Sequence, residues 1–516
     1  MIPSTMLDLA ARVASAATTA SAAVAVPSYV PPFARPLAPQ LVGMSLEFQF
    51  WPVFAGNATG QPNTYVNQLL ANLGERTGHA TPVRVGGGSE NTAVIDSSLE
   101  LWDDTQLSEV YGPFTNRATT LIGRDWYNVA GNLPAGTPFA FGCNEYNITE
   151  VDKQTKMMNA AFSSSALSHV SLEFIQIGNE PNFYFANASA YLEKWVPLAR
   201  TALGNIKMNG QSSSHPSLWI GSEVLSSGQA AWRLRDSLSA GILDDKDINA
   251  ANAVLEEHFY SGSGTIGAIP GGPSPGTLMN KATIRSNLSS IYSGRVAAES
   301  YGKKYFVGET NTYASEGIFG LSNTGESAVW AVDYLLQLAT IGVRQAYFHN
   351  TPNRMFSVFQ PGWGFTNGTG IEEPHIMPIY NGMLVVNEMI GNGSKGVVHV
   401  AELDTVTTTL AAYGVWEEDG QLARMVLINS AVATETTART ALQVTLAGVN
   451  NTDGATIKRL SIPYTVSTSG ITWGGLSFET KSGVPSGKAV ETAMDGNSVT
   501  VAASEVVMIS FKTQNH

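Results

Sequence analysis

Over residues 41–389, short apolar runs alternate with longer amphipathic stretches, the pattern of strands and helices taking turns along a chain. Strand candidates fall at 41–50, 82–86, 137–143, 172–180, 218–221, 253–260, 304–309 and 343–348. Helical stretches follow Pro62 and cover 152–167, 190–207, 230–240, 281–299 and 327–340. Eight strands mostly separated by helices predict an α/β fold, a (β/α)8 TIM barrel over 41–390. The competing reading is a two-layer α/β sheet. Its dinucleotide-binding form is weakened because no Gly-rich phosphate loop follows the first strand, and Gly86, Gly87 and Gly88 lack that spacing.

Past Ile390 the pattern changes. Apolar runs at 396–400, 408–415, 423–429, 441–446, 455–460, 474–478 and 505–511 have no helix between them, which predicts a C-terminal all-β sandwich domain over 391–516. The segment 27–40 carries five prolines and reads as an extended piece joining that sandwich. Residues 1–26 are alanine-rich, but Thr and Ser interrupt the apolar stretch and Asp8 precedes Arg12. They make a poor signal peptide and are expected to be a leader or a loosely ordered N-terminus.

Composition narrows the function. Apolar residues make up 43% of the 516 and charged residues 14%, so the chain is neither disordered nor a coiled coil. A formal net charge of -13 argues against nucleic acid or an anionic membrane as partner, and makes a highly sulfated polysaccharide a poor substrate. Cys143 is the single cysteine, which excludes an intrachain disulfide and thiolate-built zinc or iron-sulfur centres. Seven sequons, at Asn57, Asn147, Asn187, Asn287, Asn367, Asn392 and Asn450, fit a secreted eukaryotic glycoprotein. No obligate protein partner, cofactor or metal is expected.

The chemistry is suggested by two glutamates, each closing an apolar run: Glu180 after Ile177-Gly178-Asn179, and Glu309 after Phe306-Val307-Gly308. Carboxyls at the ends of strands four and seven share one face of the predicted barrel. One protonated and one ionised carboxyl about 5 Å apart are what retaining cleavage of a glycosidic bond requires. A strand-end glutamate is equally often a solvated loop charge, so the pair carries more weight than either member. Tyr260 and His258 also sit at a strand end; Tyr260 is the better candidate to orient a nucleophile, with a packed aromatic as the alternative. His258, His349 and His375 show no metal-ligand spacing and read as hydrogen-bonding or packing residues. Tyr313, Tyr347, Asn350 and Trp363 would offer aromatic and amide groups to a sugar.

The sequence Ile177-Gly178-Asn179-Glu180-Pro181 together with Val307-Gly308-Glu309-Thr310 resembles the signature of the clan A retaining glycosidases. Gly43-Met44-Ser45-Leu46-Glu47, Arg84-Val85-Gly86-Gly87 and the all-β tail resemble fungal members of glycoside hydrolase family 79, over roughly residue 41 to the C-terminus. The resemblance implies an exo-acting retaining β-glucuronidase for terminal glucuronic acid or its 4-O-methyl ether, with Glu180 as acid/base and Glu309 as nucleophile. It further implies Asn179 on the sugar 2-hydroxyl, Glu47 on its distal hydroxyls, and Tyr260 beside the nucleophile. The uronic carboxylate would be met by Tyr313 and the turn Ser315-Glu316-Gly317, with His258 a further substrate contact. Three alternatives stay open: a retaining β-glycosidase for a neutral sugar, an endo-acting heparanase-like enzyme, and a non-catalytic carbohydrate-binding protein.

Overall fold

A computed structural model describes residues 19–102, 119–211, 214–225, 232–264, 274–362, 373–393, 396–449 and 451–512. Eight parallel strands close into a barrel: Val42–Glu47, Val83–Gly86, Pro138–Cys143, Ser171–Ile177, Ser217–Val224, Asn252–Tyr260, Lys304–Asn311 and Ala346–Asn350. Each pairs with the next, and the eighth closes on the first with Ala346 opposite Val42. Most of these strands are buried on both faces, because helices cover the outside and side chains fill the lumen, so they read in sequence as unbroken apolar runs. The strand predicted through Phe50 stops at Glu47, where Phe48–Phe50 turns into a 3-10 helix.

Aromatic rings close the floor of the barrel. Phe174, Trp219, Phe306 and Tyr347 pack edge to face or tilted, with centroids 5.1 to 5.7 Å apart for Trp219 against Tyr347 and Phe174 against Phe306. Tyr347 therefore belongs to this plug, where its hydroxyl donates to Gln345, and not to a sugar-facing wall. Helices Gly325–Ile341 and Ile379–Ile390 are buried along nearly their whole length, since the C-terminal sheet packs on the side that they turn from the barrel. Arg285, paired within the barrel to Asp333 at 2.6 Å, reaches across that seam to Glu402 at 2.6 Å, and Lys458 reaches Glu388 at 2.6 Å.

The C-terminal part is built from a large antiparallel sheet and a three-stranded sheet that share one apolar core. Here the N-terminus departs from expectation. Thr19–Ala25 is an ordered strand, parallel to Ala441–Ala447, and Ala22 and Val24 enter the sandwich core. Its side chains alternate in burial as an edge strand requires, yet they are so small that the stretch reads as loose in sequence. Arg35–Pro36 then adds to the large sheet beside His399 and Val400. Residues 1–18 lie outside the described residues. No helix among the described residues is long and apolar enough to cross a membrane.

Removing the chain through Ala25 strips a strand and the fully buried Val24 from the sandwich. A loss of about 2 kcal/mol or more is expected, seen as a lower melting temperature by calorimetry. An unchanged melt would show that the strand contributes nothing to stability.

Candidate active site

Side chains at alternate strand positions point into the barrel and meet at its C-terminal end. Register sets them side by side: Ser45 stands opposite both Arg84 and His349, and His258 stands opposite Glu309. Arg84 is fully buried. Its Nη1 donates to Glu309 Oε2 at 2.7 Å and to Ser45 Oγ at 2.9 Å, its Nη2 to Asn179 Oδ1 at 2.6 Å, and its Nε to Gln176 Oε1 at 2.7 Å. One guanidinium thus links the first, second and seventh strands to the fourth and its exit.

Glu309 sits inside the seventh strand, two residues before its end. Tyr260 Oη donates to its Oε1 at 2.6 Å, and His349 Nδ1 and His258 Nδ1 lie 3.5 and 3.9 Å from Oε2. Burial works to raise this carboxyl, but His349, His258, Arg84 and the Tyr260 hydroxyl outweigh it and hold Glu309 well below the usual carboxylate range.

Glu180 lies three residues beyond the fourth strand, in a left-handed conformation with φ 55°. Pro181 disfavours the right-handed helical region there, and the left-handed alternative costs about 1 to 3 kcal/mol for a non-glycine residue. Its Oε1 is 3.0 Å from His258 Nδ1. Burial first, and then the charge of Glu309, raise the Glu180 carboxyl well above its ordinary range. An oxygen of each glutamate and a ring nitrogen of His258 lie within 4.8 Å of one another. Those are donor types that metals accept, but Arg84 already occupies Glu309 Oε2 and its fixed charge opposes a cation there. The cluster is instead suited to one neutral and one ionised carboxyl.

Burial pushes His258 down to about 3, which keeps it neutral, and its other ring nitrogen lies 3.7 Å from Glu256, itself raised to about 8 by burial. Asn179 commits its Oδ1 to Arg84, and its backbone is pinned by two hydrogen bonds to the Asn91 side chain, so its Nδ2 remains a donor. Glu47 accepts from the Ser89 amide at 3.2 Å, from the Ser89 hydroxyl, and lies 3.1 Å from His349 Nε2. Gly87, at φ 128°, is obligatory beside it: a Cβ there would stand 2.5 Å from Glu47 Oε2.

The structure therefore gathers Glu47, Asn179, Glu180, His258, Tyr260 and Glu309 into one cluster. Tyr313 and Gly317 stand on the loop after the seventh strand, and Gly317 reaches the cluster through Phe356. A Cβ on Gly317 would meet the Phe356 amide at 2.8 Å, and the Phe356 ring is 6.4 Å from Tyr260 and 6.0 Å from His349. Asn350 is a buried framework residue, donating to the Phe348 carbonyl and accepting from the Val358 amide. Trp363 lies outside the described residues. Sequence reasoning did not assign Arg84, Ser45, Gln176 or His349 to the site. The signal was present as polar residues at alternate positions of otherwise apolar strands.

Among the sequons, Asn57, Asn147, Asn187 and Asn392 are exposed. Asn287 is half-buried, and its Nδ2, the atom a glycan would join, donates to the Ser261 carbonyl. Asn367 and Asn450 lie outside the described residues.

With this geometry in view, the chain can be compared with known proteins. Residues 412–508 match the glycosyl hydrolase family 79 C-terminal beta domain. A β-glucuronidase of Aspergillus niger is 26% identical over 523 residues, covering 95% of this chain and 92% of that protein. A β-glucuronidase of Neurospora crassa is 26% identical over 354 residues, covering 63% of this chain and 60% of that protein. The C-terminal match and these relatives make the chain similar to the glycoside hydrolases of family 79. Its fold is shared with a 4-O-α-L-rhamnosyl-β-D-glucuronidase from Fusarium oxysporum, at TM-score 0.77 and 21% identity over 95% of this chain and 100% of that one. The family 51 α-L-arabinofuranosidase AbfB from Bifidobacterium longum has the same architecture at TM-score 0.61 and 14% identity, over 96% and 100% of the two chains.

In this chain the charge of Glu309 helps to raise Glu180. Glu309→Gln removes that charge, so Glu180 should titrate lower in the variant. Carboxyl-carbon NMR titration reads the shift; an unmoved Glu180 would assign its raised pKa to burial alone.

Proposed function

We propose that this glycoside hydrolase is an exo-acting retaining β-glucuronidase of family 79. The observation that carries the mechanism is the pair of carboxyls with oxygens within 4.8 Å and pKa values driven in opposite directions. Ionised Glu309 attacks the anomeric carbon while protonated Glu180 gives its proton to the leaving oxygen, and a glycosyl-enzyme ester forms. Loss of the ester's neighbouring negative charge lowers the Glu180 pKa, so Glu180 then takes a proton from water, which displaces Glu309. Tyr260 and Arg84 hold the nucleophile, and the Asn179 Nδ2 donates to the sugar 2-hydroxyl. Glu47 takes the distal hydroxyls, with His258 beside Glu180.

Two observations support a uronic acid as the sugar. The Aspergillus niger relative, which covers 95% of this chain, and the Neurospora crassa relative both carry β-glucuronidase as their name. Three successive left-handed residues, Ser315, Glu316 and Gly317, form a turn whose amides have no backbone partners among the described residues, a cradle of the kind that accepts a carboxylate. Tyr313 would add its hydroxyl. The exposed sequons and the acidic balance fit a secreted glycoprotein that acts outside the cell.

Hydrolysis of 4-nitrophenyl β-glucuronide beside the β-glucoside and β-xyloside tests the reading, with a folded Glu309→Ala variant as control. The glucuronide should be preferred and its turnover nearly abolished in the variant. Preference for a neutral sugar would overturn the uronate assignment, and normal activity of the variant would overturn the nucleophile. Glu180→Ala should slow an alkyl glucuronide by about 10²- to 10⁴-fold and the nitrophenyl glucuronide far less; equal loss on both would remove Glu180 as the acid.

A further inference from the structure

The turn offered above as the carboxylate cradle contains a carboxylate of its own. Glu316 lies between Ser315 and Gly317, at φ 57°, 79° and 86° along the three residues. The two non-glycine members are strained in this conformation, so the turn persists only because neighbours hold it. The Phe356 amide donates to the Glu316 carbonyl at 3.3 Å, the Ile318 amide to Ser322 Oγ at 2.9 Å, and the Ala314 amide to the Gly262 carbonyl at 2.9 Å. Left unneutralised, the Glu316 side chain would repel any anion that approached these amides.

The cleft makes this repulsion matter. A uronate entering the site meets Glu309 as a fixed negative charge and Glu47 beside it, while the nearest buried cation, Arg84, is already spent on Glu309. The loop after the eighth strand supplies a second arginine. Arg354 Nη2 lies 3.2 Å from Glu316 Oε1, with its side chain only 11% exposed and its buried Nε making no hydrogen bond. Two residues further along the same loop, Phe356 bridges this pair to Tyr260 and His349. Arg354 thus stands where a loop from the eighth strand meets the turn from the seventh, two residues from the aromatic wall of the cluster.

We propose that Arg354 is a specificity-determining residue, which by neutralising Glu316 turns the Ser315–Gly317 amides into a site for the sugar carboxylate. The inference rests on the uronate reading above and adds its electrostatic condition. A pair whose acidic member is exposed, as Glu316 is here, contributes little to stability by itself. Its effect is felt when a third charge, the substrate's, arrives in the same few ångströms. Arg354 acts on the substrate through Glu316, so it is a positioning residue rather than a catalytic one.

The test compares 4-nitrophenyl β-glucuronide with its C6 uronamide, which keeps the shape and loses the charge. Both are measured on the wild type, Arg354→Ala, Glu316→Gln and the double variant, alongside thermal melts. For Arg354→Ala, kcat/KM on the glucuronide should fall about tenfold, mostly through KM, with the uronamide nearly unaffected. The double variant should recover most of that loss, and Glu316→Gln alone should match or exceed the wild type on the glucuronide. Equal losses on both substrates, or a double variant no better than Arg354→Ala, would overturn the proposal. Failure of the underlying reading looks different: the wild type itself would then favour neutral substrates, and the inference about Arg354 would fall with it.

Discussion

The site depends on the burial of one guanidinium. Arg84 has no exposed surface, and a charge so placed is tolerated only if it is paired and hydrogen-bonded. Glu309 supplies the countercharge, while Ser45, Asn179 and Gln176 take other donors. The requirement runs both ways. Arg84 keeps Glu309 ionised, fixes which face of the Asn179 amide remains free, and holds the exit of the fourth strand against the second. Even the backbone is shaped around it: a Cβ on Gly86 would stand 2.7 Å from Arg84 Nε and from Glu90 Oε2.

Around this cation the upper half of the barrel holds many carboxyls, and most are handled by burial rather than by further cations. Burial raises Glu256 and Glu145 to about 8, and Glu90 and Glu180 well above their ordinary range. These groups are therefore largely neutral near pH 7, and the field in the cleft is less negative than the count of acids suggests. Glu309 is the exception, because it alone receives Arg84 at 2.7 Å, Tyr260 at 2.6 Å and two imidazoles within 4 Å. The opposite protonation of the two glutamates follows from that difference in neighbours. An anionic sugar can enter such a cleft where a fully ionised one would exclude it.

Much of this was legible in the sequence for a physical reason. Parallel strands buried on both faces write themselves as apolar runs, so all eight barrel strands were visible, and the two glutamates stood out where those runs closed. What the sequence concealed was contact between distant strands. Arg84 looks like an interruption of an apolar strand until register sets it beside Ser45, and His349 looks like packing until it is found between Ser45 and Glu47. The left-handed turn at Glu180 was hidden too, since the following proline suggests an extended residue. The strand Thr19–Ala25 escaped notice because alanines carry almost no period-2 signal, and Arg354 because its partner lies on another loop.

In the proposed mechanism Glu309, ionised and held by Arg84, attacks the anomeric carbon directly. Proton NMR of the first sugar released from a β-glucuronide tests it most directly, before mutarotation mixes the anomers. The account predicts β-glucuronic acid as the initial product, from two successive displacements. Initial release of the α-anomer would mean that water attacks in one step, and would contradict the assignment of Glu309 as nucleophile.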